Sequence, residues 1–320
     1  MMDGNVLVTG CTGVTGNALV RYLLAQGLSV TAVVRPDSPR RKFLPDHPKL
    51  EIVECALGDY DNLLKGRHTP YQAFFHLAWD GSRGKEKTDL RNHMPMQLGN
   101  AGHVLEAVEV CRALGCPVFL ATGSQAEYGG GPGTVDETTV CRPENGYGAA
   151  KVCASSMASI LCRQYGIRFI WARLFSVYGP RDATHSMIDM AITQLLDGKS
   201  PAYTKGEQIW NYLYSFDAAK ALALLAFTET AQGIYCVASQ KSRPLKDYIA
   251  DLHEVVAPEQ KPRLGALPSA QNSSARMEAD TRRLIRDTGF CEEYSFRQGI
   301  AAVRDWYAKG KSGVRDGGLF

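Results

Sequence analysis

Tyr147 and Lys151 stand four residues apart in Tyr147-Gly148-Ala149-Ala150-Lys151, and Ser124 precedes them in Thr122-Gly123-Ser124. On a helix, positions i and i+4 share a face, so the Lys151 ammonium is brought near the Tyr147 phenol. A free tyrosine titrates near pKa ~10, too high for ready proton exchange at neutral pH, and a neighbouring cation favours the phenolate. With Ser124 holding the substrate oxygen, the three side chains suit proton transfer at a carbonyl. A Tyr-x-x-x-Lys spacing alone recurs on many amphipathic helices, so its weight comes from what accompanies it.

The companion feature is Thr9-Gly10-Cys11-Thr12-Gly13-Val14-Thr15-Gly16, set between an apolar run and a helical stretch. A glycine loop there lets backbone amides approach a pyrophosphate at a helix start, which assigns Gly10, Thr12, Gly13, Val14, Thr15 and Gly16 to a dinucleotide. The glycine spacing is Gly-x-x-Gly-x-x-Gly, not the commoner Gly-x-Gly-x-x-Gly. An acidic residue ending the second strand would bind the ribose hydroxyls of NAD, but the sequence has Arg35, with Arg40 and Arg41 following. Guanidinium groups suit a 2′-phosphate, so NADP(H) is the expected cofactor and NAD(H) the alternative. Asp59, in Gly58-Asp59, is expected at the adenine amino group or as the cap of a helix starting near Tyr60.

These residues need a scaffold that alternates strand and helix. Apolar runs at 5–9, 29–34, 50–53, 73–77, 117–122 and 169–173 alternate with helical stretches at 14–26, 97–114 and 147–165. That rhythm predicts an α/β chain with a Rossmann-type doubly wound parallel sheet and helices on both faces. It gives a dinucleotide-binding domain over 1–174, rejoined by a strand near 233–238, a smaller C-terminal substrate-binding lobe over 175–308, and a tail over 309–320. Past about 175 the pattern reads as a helix at 186–197 followed by a loop-rich, proline-containing stretch.

Composition narrows the class. The 320 residues are 45% hydrophobic and 22% charged, with a net charge of +3, an ordinary globular balance that argues against a nucleic-acid or membrane partner. No run approaches a membrane span, the amino terminus shows no signal segment, and nine scattered cysteines fit a reducing cytoplasm. Cys111 and Cys116 form the closest pair, without a second pair or histidine cluster for a metal, and read as packing residues.

Together these residues resemble the extended short-chain dehydrogenase/reductase family, through Thr9 to Gly16, Gly58-Asp59, His76-Leu77-Ala78, Ser124, Tyr147 with Lys151, and Arg173-Leu174-Phe175-Ser176-Val177-Tyr178-Gly179-Pro180. Ala279 to Leu284, Gly289-Phe290 and Gly299-Ile300 before Trp306-Tyr307 resemble the closing segment of its nucleotide-sugar members. The resemblance implies that Ser124, Tyr147 and Lys151 are catalytic, that Lys151 also holds the nicotinamide ribose, and that Leu77 and Ala78 line the cofactor. It further implies a nucleoside-diphosphate sugar substrate and a homodimer formed through the helix bearing Tyr147 and its neighbour.

Departures from the family pattern shape the expected reaction. Ser124-Gln125-Ala126 replaces the Thr-Asp-Glu of sugar 4,6-dehydratases, so the acid and base for eliminating water are absent. Arg35 replaces the acidic residue usual in 4-epimerases. The sequence therefore resembles reductases of nucleotide-activated 4-keto-6-deoxy sugars most, with NADPH giving hydride and Tyr147 the proton; a nucleotide-sugar epimerase is the alternative, ahead of a reductase of a non-sugar carbonyl or a cofactor-sensing protein. Arg181 and Arg243 are expected at the diphosphate, with Arg243 preferred. Trp79, Gln125, Tyr178 and Trp210 are expected around the sugar or base. Ser176 and Trp210-Asn211-Tyr212, in place of Asn and Arg-Asp-Phe, point to an altered pocket.

Overall fold

The computed structural model describes residues 4–60, 63, 70–82, 90–130, 133–182, 186–268 and 276–311. Seven strands form one wholly parallel sheet: β1 (Asn5–Thr9), β2 (Ser29–Val34), β3 (Leu50–Glu54), β4 (Tyr71–His76), β5 (Val118–Ser124), β6 (Arg168–Leu174) and β7 (Gly233–Val237). Their spatial order is β3-β2-β1-β4-β5-β6-β7. Alternate residues face opposite layers. Val6, Val8, Phe75 and Leu120 join one apolar cluster, whereas Leu7, Phe74, Phe119 and Ala121 join the other. Both layers being apolar, the strands read as continuous hydrophobic runs.

The second layer is built by α2 (Met94–Ala113) and α3 (Gly146–Gln164), which pack on each other. On the first lie α1 (Val14–Ala25) and α5 (Ser215–Phe227), also in mutual contact. The sequence reading had no helix at 215–227. Ser215-Phe216-Asp217-Ala218-Ala219 and the Ala/Leu run after it are buried almost all round, between α1 and the sheet, and so carry no amphipathic period. The α/β rhythm thus persists beyond 174, and α5 leads into β7, which pairs with β6 from Gly233↔Ile170 to Val237↔Leu174.

The remaining elements gather beyond the carboxyl ends of the strands. Helices α4 (Met187–Leu196), α6 (Leu245–Val256) and α8 (Phe296–Lys311) pack together, and α7 (Arg282–Thr288) sits against β7 and α5. Short ladders stitch this part to the sheet end: 177–178 with 213–214, 209–210 with 243–244, and 133–135 with 277–279. Of the expected 309–320 tail, α8 runs to Lys311 and 312–320 lie outside the described residues. All nine cysteines are unpaired, and among the described residues no helix is long and apolar enough to cross a membrane.

Candidate active site

The glycine loop between β1 and α1 folds tightly on itself. Gly10 has φ 68°, and a Cβ there would lie 2.5 Å from the Leu77 carbonyl carbon; one on Gly16 would lie 2.2 Å from Gly10 O. Gly13 caps α1 without a side-chain hydrogen bond, and the first turn holds no acidic residue. Its amides and the positive end of the helix dipole are left for an anion. They open on a cleft of 580 Å³ lined by Gly10, Thr12, Gly13, Val14, Thr15 and Gly16, by Arg35, Ser38 and Arg40, and by Leu77, Ala78 and Trp79. Running from β1 to β4, where the strand order reverses, this cleft fits a dinucleotide pyrophosphate at its glycine end.

The basic residues divide. Arg35 lies 3.9 Å from the Asp80 carboxylate, with both side chains mainly in solvent, a weak pair that yields readily to a stronger anion. Arg40 is committed to main-chain carbonyls, donating from Nε to Thr12 O at 2.8 Å and from Nη2 to Arg181 O. It ties the glycine loop to the 181–182 turn. Arg41 pairs with Glu54 and does not line the cleft.

Sharing Val14, Thr15, Leu77, Trp79, Thr122 and Leu174 with that cleft is a second cavity of 840 Å³, which Ser124, Tyr147 and Lys151 all line. Ser124 ends β5, and its Oγ accepts from Ala126 N at 3.2 Å, a bond that leaves its own proton to donate. Asn145 caps α3, its Oδ1 accepting from Gly148 N at 2.9 Å. A Cβ on Gly148 would lie 2.4 Å from Ala126 O, so this glycine lets the helix start close on the Ser124 segment. Tyr147 is half-buried there. Trp79 meets its ring edge-on at 5.8 Å between centres.

Lys151 is buried, donating from Nζ to Thr122 O at 2.6 Å and lying 3.7 Å from the centre of the Trp79 ring. Burial pulls its pKa down to about 7, against the raising influence of Glu127. The indole is fixed in turn. Its Nε1 donates to Gln97 Oε1 at 2.8 Å, and Gln97 Nε2 donates to Leu90 O at 2.7 Å.

Behind Ser124 lies a buried ion pair that the sequence reading did not single out. Glu127, fully buried, accepts from Ser124 N at 2.8 Å, from Trp171 Nε1 at 3.0 Å and from Arg173 Nε at 2.7 Å. Arg173 also donates to Tyr128 Oη at 2.9 Å and Cys141 Sγ at 3.0 Å. A Cβ on Gly123 would fall 2.2 Å from Trp171 Nε1 and 2.4 Å from Glu127 Oε1, so this glycine admits the network to the strand backbone.

The profile of the NAD dependent epimerase/dehydratase family matches residues 6–238, spanning the cleft, the trio and all seven sheet strands but the first residue of β1. The chain belongs to this family. Its membership makes it an oxidoreductase-type enzyme binding a nicotinamide dinucleotide. Among curated relatives, a dTDP-glucose 4,6-dehydratase of Neisseria gonorrhoeae is 24% identical, with 96% of each chain covered. Among solved structures, a UDP-N-acetylglucosamine 4-epimerase of Methanobrevibacter ruminantium M1 superposes with TM-score 0.84 at 24% identity, covering 97% of this chain and 100% of that one. A UDP-glucuronic acid 4-epimerase of Bacillus cereus, in complex with NAD, superposes with TM-score 0.81 at 18% identity, covering 95% and 96%.

Within this epimerase/dehydratase chain, the structure brings Trp79, Gln125, Tyr178 and Trp210 to the larger cavity, and leaves out others. Neither Arg181 nor Arg243 lines either cavity. Arg243 is held by Asp251 at 2.5 Å, with its guanidinium 4.1 Å from the Tyr248 ring centre. Arg181 is buried with φ 69°, and burial lowers its pKa to about 9. Asp59 is exposed and lies off the cleft wall, although its neighbours Leu57 and Tyr60 line it; the helix it was expected to cap falls largely outside the described residues. Two charged residues of the cavity, Arg91 and Glu144, were not foreseen. They sit in connecting segments without a motif. Asn145 was legible as a cap one residue before α3.

Proposed function

We propose that the protein epimerises a nucleoside-diphosphate sugar, oxidising one ring hydroxyl to a ketone and reducing that ketone from its other face. The observation that carries this reading is the Ser124, Tyr147 and Lys151 trio on a cavity continuous with the dinucleotide cleft, without a carboxylate at positions 125 and 126. A nicotinamide dinucleotide held along Gly10 to Gly16 supplies the hydride exchange. Tyr147 accepts the hydroxyl proton in the first half and returns it in the second, Ser124 hydrogen-bonds the same oxygen, and the Lys151 charge favours the phenolate. Substrate and product are isomers. No cofactor is consumed, and none needs to leave.

Elimination of water, the reaction named for the dehydratase relative, needs an acid and a base beside the tyrosine, and Gln125 with Ala126 supplies neither. Glu127 is spent on Arg173. The sequence favoured one-way reduction of a 4-keto-6-deoxy sugar nucleotide by NADPH; Arg35 at the cleft mouth still supports it as a second reading. Likeness to two 4-epimerases over almost the whole chain favours the reversible one.

The deciding experiment incubates purified protein with UDP-glucose, UDP-N-acetylglucosamine or UDP-glucuronic acid plus NAD, and follows the sugar signals by NMR. A 4-epimer appearing without net change in the nicotinamide absorbance supports epimerisation. NADPH oxidation by a 4-keto-6-deoxy sugar nucleotide, with no epimer formed, would replace it by reduction. The absence of both an epimer and NADPH oxidation would sink both readings. Tyr147→Phe should abolish turnover and keep cofactor binding.

The backs of α2 and α3 expose Met94, Leu98, Met157 and Ile160, an apolar face that suits a second copy of the chain. Sedimentation of Leu98→Glu against the parent tests this homodimer, which an unchanged mass would contradict.

A further inference from the structure

Two cations approach the Tyr147 ring, and the nearer is not the lysine of its own helix. The Arg91 guanidinium carbon lies 4.9 Å from the ring centre, whereas Lys151 Nζ lies 5.8 Å away. Trp79 faces both partners of the Tyr-Lys pair: its ring takes the ammonium at 3.7 Å and turns edge-on to Tyr147. Lys151 is also drawn toward Thr122 O. Arg91, by contrast, is carried to the phenol by a fixed turn, Leu90–Asn92. Asn92 Oδ1 accepts from Gly146 N at 3.1 Å, Gln97 donates to Leu90 O, and a Cβ on Gly146 would lie 3.0 Å from Arg91 O.

We propose that Arg91 is a positioning residue for Tyr147, its guanidinium on the ring face both orienting the phenol and favouring the phenolate. The proposal rests on the reading of Tyr147 as the proton carrier. An aromatic face attracts a cation through its negative quadrupole, and the attraction grows when the ring carries charge. A planar guanidinium lies flat on a ring in a way an ammonium does not. Among the described residues, the charged and titratable groups on the surrounding segments include Lys151 on α3, Glu127 after β5, Arg142 and Glu144 before α3, Asp80 beside Trp79, and His93 at the start of α2. Of these, Lys151 and Glu144 line the cavity with Arg91.

The test compares wild type, Arg91→Leu, Arg91→Gln, Arg91→Lys and Tyr147→Phe, each saturated with dinucleotide. One readout is the pH dependence of kcat/KM in the direction of hydroxyl oxidation; the other is the ultraviolet tyrosinate signal, taken as the difference from Tyr147→Phe. Losing a ring-face cation is expected to move both the rising limb and the Tyr147 tyrosinate signal up by about one pH unit in Arg91→Leu and Arg91→Gln. Arg91→Lys should recover less than half of that shift. Coincident tyrosinate curves for wild type and both neutral variants would overturn the inference. If Tyr147→Phe keeps its turnover, the proposed catalysis fails, while the spectroscopic titration still decides whether Arg91 acts on Tyr147.

Discussion

Replacing Glu127 by leucine removes the shared acceptor of Ser124 N, Trp171 Nε1 and Arg173 Nε, and leaves the Arg173 charge buried beside Tyr128 and Cys141. Breaking a buried ion pair from one side costs about 3–5 kcal/mol, and an orphaned buried N–H adds about 1–3 kcal/mol. Because the three donors share one carboxylate the terms do not add fully, and a total near 5 kcal/mol is expected. At roughly 2 °C per kcal/mol for a chain of this size, Tm should fall by about 10 °C. Urea unfolding followed by circular dichroism measures the loss directly. Glu127→Leu/Arg173→Met removes the stranded charge as well, and should recover at least about 2 kcal/mol. Its kcat should stay low, because the amide of Ser124 has still lost its anchor. A single-variant loss under about 1 kcal/mol, or a double variant as unstable as the sum of its parts, would refute the network's structural role.

Gly16→Ala should abolish dinucleotide binding in a calorimetric titration, since its Cβ would sit 2.2 Å from Gly10 O and force the loop open; binding within about threefold of the parent would contradict this. Arg35→Asp should turn cofactor preference toward NADH by at least about tenfold, the equivalent of ~1.4 kcal/mol, measured as the ratio of the two binding constants. An unchanged ratio removes Arg35 from 2′-phosphate recognition. Lys151 has a folded pKa lowered to about 7 from 10.5, so the unfolded chain binds its proton more tightly between those values. Its destabilising effect is fully present below about pH 7, is relieved as pH rises, and is gone above the unfolded pKa. Cofactor-free wild type should therefore gain roughly 2 kcal/mol on Lys151→Met between pH 7 and 9, and parallel stability curves would show that the ammonium is not buried.

The alternation of apolar strands with helices, the glycine loop, and the trio of Ser124, Tyr147 and Lys151 were all legible in the sequence. Each is written in local spacing. A period of two or of nearly four residues, or a glycine where a turn needs positive φ, is a property of a few neighbours in the chain. Helix α5 escaped because a helix buried on nearly every side has no polar face to give it a period. The partner of Arg243 escaped because guanidinium chemistry alone suits a phosphate and a carboxylate equally well, and Asp251 is supplied by the next helix.

The sequence by itself thus determined the fold class, the glycine loop and, as the proposed proton carrier, Tyr147. Only the tertiary structure decided which charges meet it. Glu127 and Arg173 lie 46 positions apart and pair across adjoining strand ends, while Arg91 reaches Tyr147 from a different turn. Such meetings depend on how loops are carried by packed elements, and a long flexible side chain reaches several alternative partners until the packing selects one. That selection also decided that Trp79, held by Gln97, stands against Tyr147 and Lys151.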